Sequence, residues 1–366
     1  MTLQRSPAAG SRDAALHNLL DACIGLKKGD RLLIVGEPDE SFYRGALAAI
    51  AAKAARYRGA EVELVEAGPI QGPEHFPDGL KALIAAADHT LFFSRIGAAA
   101  RFLRLPGPGA KVVSYTLDHD SFSSLFASLP YPFLQELHDA IVERIALAKR
   151  YRLTCPNGSD LAMELEPGSG AGARSPLTPF AVRNFPLMIV PPISAARAEG
   201  RVVLTLALLS TSTHVYENPV LPLTSPLTLT VQGGRIVDFA GEPELVHRVI
   251  AHFDRVGDLF GGDPRSFSSW HAGVNPGTFF AADAISDLER WGNVAFGSPR
   301  YTHFHMVGGE PGDICGSLFD ATISFDDEAI WRDGKLAFLD GEEGRRLIAR
   351  HGVDRRAIAE PLPIGV

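Results

Sequence analysis

Three histidines in the last third of the chain have the residue type and spacing that could bind a metal ion. His303 and His305 are separated by one residue, and a β-strand would direct both imidazoles to the same face. His271 stands within a segment, 270–277, whose glycines and proline predict a loop. Imidazole is the commonest ligand of transition metals, so these residues predict a metal site. A solvated strand, or a loop histidine bonded to a carbonyl group, would show the same pattern.

Two carboxylates, Glu310 and Asp313, follow the histidine pair in a second glycine-rich segment. Two imidazoles and one carboxylate form the facial set that holds Fe(II) and leaves positions open for oxygen and substrate. His271, one of the pair His303 and His305, and Asp313 would provide such a set. Acids in glycine-rich loops are also common in simple turns, so neither carboxylate identifies the site by itself.

The elements that would position these residues fall into two regions. Before about Arg150, apolar runs at 31–35, 61–65, 90–93 and 111–115 alternate with helical patterns at 41–58, 80–87 and 132–149. This alternation predicts a doubly wound, Rossmann-like α/β domain over residues 1–150. Residues 151–366 show short β segments with turn dipeptides at 157–158, 233–234 and 333–334, and a Gly- and Ala-rich loop at 166–175. They predict a β-rich α+β domain that carries the site.

The composition limits the classes of function. A chain of 366 residues with 46% apolar and 21% charged residues is typical of two globular domains. No apolar run approaches the roughly 18 to 20 residues that span a bilayer, and the first residues lack a secretory signal, so we expect no membrane partner and a cytoplasmic location. A net charge of -8 argues against a nucleic-acid partner. The sequence also lacks HExxH and GxSxG motifs, and its three cysteines are too far apart to predict a zinc site.

Short motifs beyond residue 150 occur in a characteristic order. They are 153–161 (LTCPNGSDL), 184–186 (NFP), 227–236 (LTLTVQGGRI), 273–276 (GVNP), 292–297 (GNVAFG) and 326–328 (DDE) ahead of 333–334 (DG). In this order the chain resembles the thermophilic-type metallo-aminopeptidases and their relatives, the dihydroxypyridine dioxygenases. The resemblance implies a homodimer and a ligand cleft between the two domains.

The metal ligands depart from the aminopeptidase pattern. Those enzymes have a glutamate shortly after the Asn-x-Pro motif, where this chain has 186–191 (PLMIVP), and a histidine at the position of Asn293. Two-metal hydrolysis needs both ions held, so a classical aminopeptidase is not expected. The dioxygenase branch resembles this chain more, because it has a histidine before the Asn-Pro turn, a role that His271 could take. Its His-x-Asp pair corresponds to Asp313-Ile314-Cys315 without gaps, or to His303-Phe304-His305 with a gap.

Two main hypotheses follow. The first is a metal-dependent, oxygenase-like enzyme that uses Fe(II) and acts on a small aromatic, heteroaromatic or indole-bearing peptide substrate, with His271, His303, His305 and Asp313 as ligands. The second is a metal-free, non-hydrolytic protein that binds a peptide or small ligand in natural-product biosynthesis. A residual one-metal hydrolase is a third alternative.

Overall fold

The computed structural model describes residues 10–165, 182–212, 215–307 and 312–366. Glu310 and the predicted loop 166–175 lie outside the described residues. The strands are β1 (Arg31–Gly36), β2 (Glu61–Glu66), β3 (His89–Phe93), β4 (Lys111–Ser114), β5 (Arg150–Thr154), β6 (Asp160–Glu164), β7 (Arg183–Phe185), β8 (Ile193–Ser194), β9 (Glu199–Leu204), β10 (Ala207–Ser210), β11 (Leu221–Pro222), β12 (Leu227–Gln232), β13 (Arg235–Ala240), β14 (Phe267–Ala272), β15 (Tyr301–Met306), β16 (Ile314–Phe319), β17 (Thr322–Phe325) and β18 (Glu328–Trp331).

The helices lie mainly in the first half of the chain. They are α1 (Arg12–Leu16), α2 (Leu47–Tyr57), α3 (Asp78–Ala86), α4 (Ile96–Ala100), α5 (His119–Phe122), α6 (Leu125–Ser128), α7 (Tyr131–Leu147), α8 (Pro243–Phe260), α9 (Leu288–Ala295), α10 (Glu342–Arg350) and α11 (Arg355–Ile358), with a π-helical stretch at His17–Ile24 and 3-10 turns at Pro73–His75, Ala284–Asp287 and Ala337–Asp340. Among the described residues, none of these helices combines the length and the apolar character needed to cross a membrane.

The first sheet is parallel and has the strand order β2-β1-β3-β4-β7. Strands β1, β3 and β4 are almost entirely buried, as expected for continuous apolar runs in a sheet covered by helices. The predicted fold class, an α/β fold with a β-rich region, is confirmed. The division at residue 150 stays a prediction, and β7, which follows that point in the chain, pairs with β4 of the parallel sheet.

Two antiparallel sheets form the β-rich region. One has six strands in the order β11-β10-β16-β15-β14-β8, and the other has seven in the order β13-β12-β9-β6-β5-β17-β18. Helix α7 buries the predicted apolar stripe in the same core as the seven-stranded sheet, through Leu134, Leu137, Ile141 and Ile145. This helix, predicted to close the α/β domain, therefore packs on the β-rich region.

The six-stranded sheet lies between two cores, because its side chains alternate between its faces. On one face Trp270, Phe304 and Ile314 pack in the core that includes the seven-stranded sheet. On the other, Tyr301 and Cys315 pack in the core that includes the parallel sheet. The neighbours of each histidine on β14 and β15 have their side chains on the first face. The histidine side chains therefore lie on the second face, toward the parallel sheet.

One predicted hairpin is wrong. Strand β17 turns at Asp326 and Asp327 and pairs with β18, with Phe325 opposite Glu328. Both aspartates have positive φ angles, 45° and 72°, as two-residue hairpin turns require. The expected turn at Asp333 and Gly334 does form, closed by a bridge between Arg332 and Lys335, but the chain then enters the 3-10 turn Ala337–Asp340 instead of a second strand.

The glycine after β14 allows a close backbone contact that fixes the end of the strand. A Cβ atom added to Gly273 would overlap the carbonyl oxygen of Ser298. The Gly273 amide donates a hydrogen bond to the Tyr301 carbonyl at 3.2 Å, and the Gly273 carbonyl accepts one from the Trp331 indole at 2.8 Å.

We expect Gly273→Ala to destabilise the fold by about 1 to 3 kcal/mol, because the backbone must shift in a packed region. Thermal unfolding checks this. The control is Gly79→Ala on α3, where an added Cβ meets no atom within 4 Å; an equal melting temperature for both variants would contradict the prediction.

Candidate functional site

His271, His303 and His305 form a cluster on the middle sheet, called here the histidine triad. His271 of β14 pairs directly with His303 of β15, and His305 lies two residues further along the same strand. The three ring centroids are 5.0 Å apart in every pair. Their side chains are buried, with 3 to 4% of the surface exposed. The predicted period-two relation of His303 and His305 is therefore realised on a strand.

The predicted loop around His271 is wrong, because His271 lies within β14. A bulge between Phe267 and Ser269 shifts the register of this strand. As a result, the buried aromatic residues Phe267 and Trp270 are three positions apart, which does not resemble strand alternation. The Gly-rich turn begins only after Ala272.

Val190 orients the first imidazole. Its carbonyl oxygen lies 2.7 Å from Nδ1 of His271, so this nitrogen must carry the hydrogen and donate it. In the neutral ring the other nitrogen, Nε2, then keeps its lone pair. A hydrogen bond from His271 to a carbonyl group was one alternative to metal binding. The bond is compatible with a role as a metal ligand, because metal-bound histidines usually donate their other N–H in this way.

Asp313 contacts the triad through one member. Its Oδ2 atom accepts a hydrogen bond from Nδ1 of His305, and both side chains are buried. Thr211 adds a hydroxyl group 3.3 Å from the same nitrogen. The structure therefore brings all four predicted site residues together. Asp313, however, is placed to orient His305 and to leave Nε2 of that ring toward the triad, rather than to complete a set with His271.

The protonation states follow from burial and neighbouring charge. Burial lowers the pKa of His271 to about 3, with a further contribution from His305. Burial, His305 and His271 also hold the pKa of His303 well below its ordinary value. For Asp313, burial raises the pKa, but the attraction and hydrogen bond of His305 outweigh this and keep it below the ordinary range. Neutral His271 and His303 and an ionised Asp313 are the forms that metal ligands require.

The donor atoms are close enough for a metal ion. One nitrogen from each triad residue lies within 4.8 Å of the others, and His305, Asp313 and Cys315 form a second such group. Atoms bound to one ion at about 2.0 to 2.1 Å lie at most about 4.2 Å apart, so small side-chain movements suffice. Nδ1 of His303 and Oδ1 of Asp313 are buried and have no hydrogen-bond partner among the described residues. Such groups are rare unless a ligand uses them.

Some residues of the site were not among the predicted ligands. Cys315 lies opposite His305 on β16, and Phe296 stacks on the His303 ring at 4.6 Å. A cavity of about 610 Å³ lies beside them, with Phe296 and Thr211 in its wall. Arg101 after α4 and Asn293 of α9 line the same cavity, so it lies between the parallel sheet and the β-rich region. The pairing of Cys315 with His305 could have been predicted from a hairpin between β15 and β16.

The fold of this chain is similar to that of a solved enzyme structure. No family model and no curated protein matches the chain. Its structure is similar to that of 2,5-dihydroxypyridine dioxygenase from Pseudomonas putida KT2440, with a TM-score of 0.59 and 15% sequence identity, over 91% of this chain and 98% of that chain. At this identity the likeness concerns the fold alone. The choice between the two branches of the resemblance therefore stays a prediction.

His252 on α8 forms part of the shell around the cavity. Its ring lies 6.2 Å from that of Tyr216, which lines the cavity, and its Nδ1 accepts a hydrogen bond of 3.0 Å from Arg255. Burial, followed by the positive charge of Arg255, lowers the pKa of His252 to about 4 from 6.5. The folded protein therefore keeps this ring neutral in a range where the unfolded chain would protonate it.

This depressed pKa predicts a loss of stability in acid. As pH falls from 6.5 to about 4, the unfolded state binds a proton that the folded state does not, so the free energy of unfolding falls by up to about 3 kcal/mol. Denaturant unfolding of His252→Gln should show a shallower decline than the wild type in this window. His247→Gln, an exposed position on the same helix, is the control. Parallel curves for His252→Gln and the wild type would contradict the assignment.

Proposed function

We propose that this protein is a metal-dependent, oxygenase-like enzyme that binds one Fe(II) ion through His271, His303 and His305. It acts on a small aromatic or heteroaromatic molecule in the adjoining cavity, with an indole-bearing peptide as a larger alternative. Asp313 holds His305 in position instead of serving as a fourth ligand. The homodimer implied by the family resemblance stays a prediction.

The observation that carries this proposal is the orientation of the triad. Two of its rings donate their Nδ1 hydrogens, one to the carbonyl of Val190 and one to the carboxylate of Asp313. In its neutral form, each of these rings then has a lone pair on Nε2 for the shared centre. A structural cluster of buried histidines needs no such convergence, whereas a metal site depends on it.

The chain's own groups would position and protect the substrate. A bound Fe(II) ion supplies coordination sites at which an electron-rich aromatic molecule and oxygen can meet. Phe296, stacked on His303, and Leu209 give the cavity apolar surface that excludes water. Asp313 keeps its negative charge next to His305 and so raises the basicity of that ring as a ligand.

Two-metal peptide hydrolysis fits the site poorly. The position of the aminopeptidase histidine is Asn293, whose side-chain amide donates to the backbone carbonyl of Glu289 at 2.8 Å. The segment 186–191, after the Asn-x-Pro motif, contains no acid. Among the described residues the donor groups form two sets that share His305, and we assign them to a single ion.

The proposal is tested by metal binding and oxygen consumption together. Protein prepared without chelators and loaded anaerobically with Fe(II) should bind about one ion per chain. It should also consume oxygen when 2,5-dihydroxypyridine is added as a probe substrate. His271→Ala should lose both properties, because two imidazoles hold the ion weakly. Asp313→Asn should bind the ion about 10- to 100-fold more weakly, the usual effect of removing such a partner.

The exposed His247→Ala provides the matched control and should retain metal and activity. Full metal content and turnover in His271→Ala would contradict the site. Wild-type protein that binds the probe with no metal and consumes no oxygen would favour the second hypothesis, a ligand-binding protein.

A further inference from the structure

One wall of the cavity beside the histidine triad is a continuous piece of chain without helix or strand. Residues 216–220, called here the strap, all line the cavity of about 610 Å³ and lead into β11. Two other residues of the wall connect the cavity to the triad. Phe296 stacks on His303 at 4.6 Å, and the Thr211 hydroxyl group lies 3.3 Å from Nδ1 of His305. The strap therefore bounds the space that a molecule bound beside the triad would occupy.

Arg255 of α8 holds the strap in place. Its guanidinium group donates hydrogen bonds of 2.8 and 3.2 Å to the backbone carbonyls of Glu217 and Asn218, and it lies 5.3 Å from the centroid of the Tyr216 ring. Nδ1 of the buried His252 accepts a further bond from Arg255 at 3.0 Å. Among the described residues, Arg255 provides the side-chain hydrogen bonds that the strap receives. The position of this wall therefore depends on one arginine.

Tyr216 is the strap residue with an unsatisfied polar group. Its side chain is buried, with 9% exposed, and its ring lies 5.8 Å from that of Phe260. Its hydroxyl oxygen is closed off from solvent and has no hydrogen-bond partner among the described residues. Burial also raises the pKa of this hydroxyl group, which therefore stays protonated as a donor. Such a group destabilises the ligand-free arrangement, and an acceptor atom on a bound molecule would remove that cost.

The strap has the features of a segment that can adjust at low cost. The side chains of Glu217 and Asn218 are exposed, and Asn218 has a φ angle of 52°, in the left-handed region that asparagine tolerates better than most residues. Few buried contacts and irregular backbone are typical of the least stable parts of a fold. A small shift of the strap would bring the Tyr216 hydroxyl group to the cavity.

The rest of the wall favours an aromatic molecule. It includes the apolar side chains of Leu209, Leu288 and Phe296. A cavity of this size with an apolar wall and a few polar groups is typical of a site for a small organic ligand. The ring of Phe296 offers a flat surface next to the triad, on which another ring can stack.

We propose that the strap recognises the molecule in the cavity. It adjusts when an aromatic molecule binds, and the Tyr216 hydroxyl group then donates a hydrogen bond to an acceptor oxygen or nitrogen of that molecule. Arg255 is a positioning residue that holds the strap for this contact. A ligand shifts a segment only by the free energy that it gains in the shifted state, and the new bond to Tyr216 provides it. The inference rests on the proposed function for the molecule's role as substrate, and it names a feature that this substrate carries.

Two probes that differ in one acceptor atom test the contact, by calorimetric titration of the full-length protein. Acetophenone has a carbonyl oxygen, and ethylbenzene has nearly the same shape without it. Ethylbenzene is the more hydrophobic probe, so the ratio of the two dissociation constants is compared between variants. Tyr216→Phe should weaken acetophenone binding about fivefold and leave ethylbenzene binding unchanged, because one hydrogen bond is lost. The control is Tyr115→Phe, at a second tyrosine of the same wall, which should keep the wild-type ratio.

Replacing Arg255 tests the hold on the strap. Arg255→Gln should weaken both probes about fivefold, and Arg255→Lys, which keeps the charge and one donor group, should recover part of this loss. Hydrogen–deuterium exchange of residues 216–220 should rise in Arg255→Gln and should fall when acetophenone binds the wild type, while exchange of β12 stays constant. Arg248→Gln, an exposed arginine of the same helix, is the matched control.

The titrations are made with metal-free and with Co(II)-loaded protein, so that they do not depend on the metal proposal. Tyr216→Phe should also bind Co(II) as the wild type does. A ratio that changes in Tyr216→Phe supports the inference even if the triad binds no metal. An unchanged ratio in that variant, an equal change in Tyr115→Phe, strap exchange that does not respond to acetophenone, or no measurable binding of acetophenone to the wild type would overturn it.

Discussion

Backbone hydrogen bonds among β14, β15 and β16 determine the position of the histidine triad. The pairing of His271 with His303, and of His305 with Cys315, fixes three imidazoles on one face of the middle sheet. A register shift of one residue would turn these side chains into the opposite core. There, Trp270 and Phe304 pack against the seven-stranded sheet. The same alternation that forms that core therefore creates the polar face opposite it.

Burying three imidazoles has an energetic cost that the surrounding chain offsets only in part. Burial lowers the pKa of His271 and His303, so the rings stay neutral and avoid the much larger cost of a buried charge. Val190 and Asp313 each accept one hydrogen bond. Nδ1 of His303 remains buried without a partner among the described residues, at a cost of about 1 to 3 kcal/mol.

Local patterns predicted much of this arrangement, and contacts between distant segments explain what they missed. Continuous apolar runs identified β1, β3 and β4, and the spacing of His303 and His305 identified their common face. The bulge at Phe267 concealed the strand of His271. The role of Asp313 depends on how β16 folds back onto β15. One turn precedes β18 and another follows it, and the sequence analysis assigned the hairpin to the second instead of the first. Arg101 and Tyr216 meet the same cavity from segments more than a hundred residues apart, which no local pattern reveals.

The central claim is that the histidine triad binds a single metal ion, with Asp313 outside its coordination sphere. A crystal of the protein soaked in Co(II) tests it directly, through an anomalous difference map collected at the cobalt edge. We expect one strong peak per chain, about 2.0 to 2.3 Å from a ring nitrogen of each of His271, His303 and His305, with the Asp313 carboxylate still bonded to His305. No peak at the triad, or a peak bound to Asp313 and Cys315 instead, would contradict it.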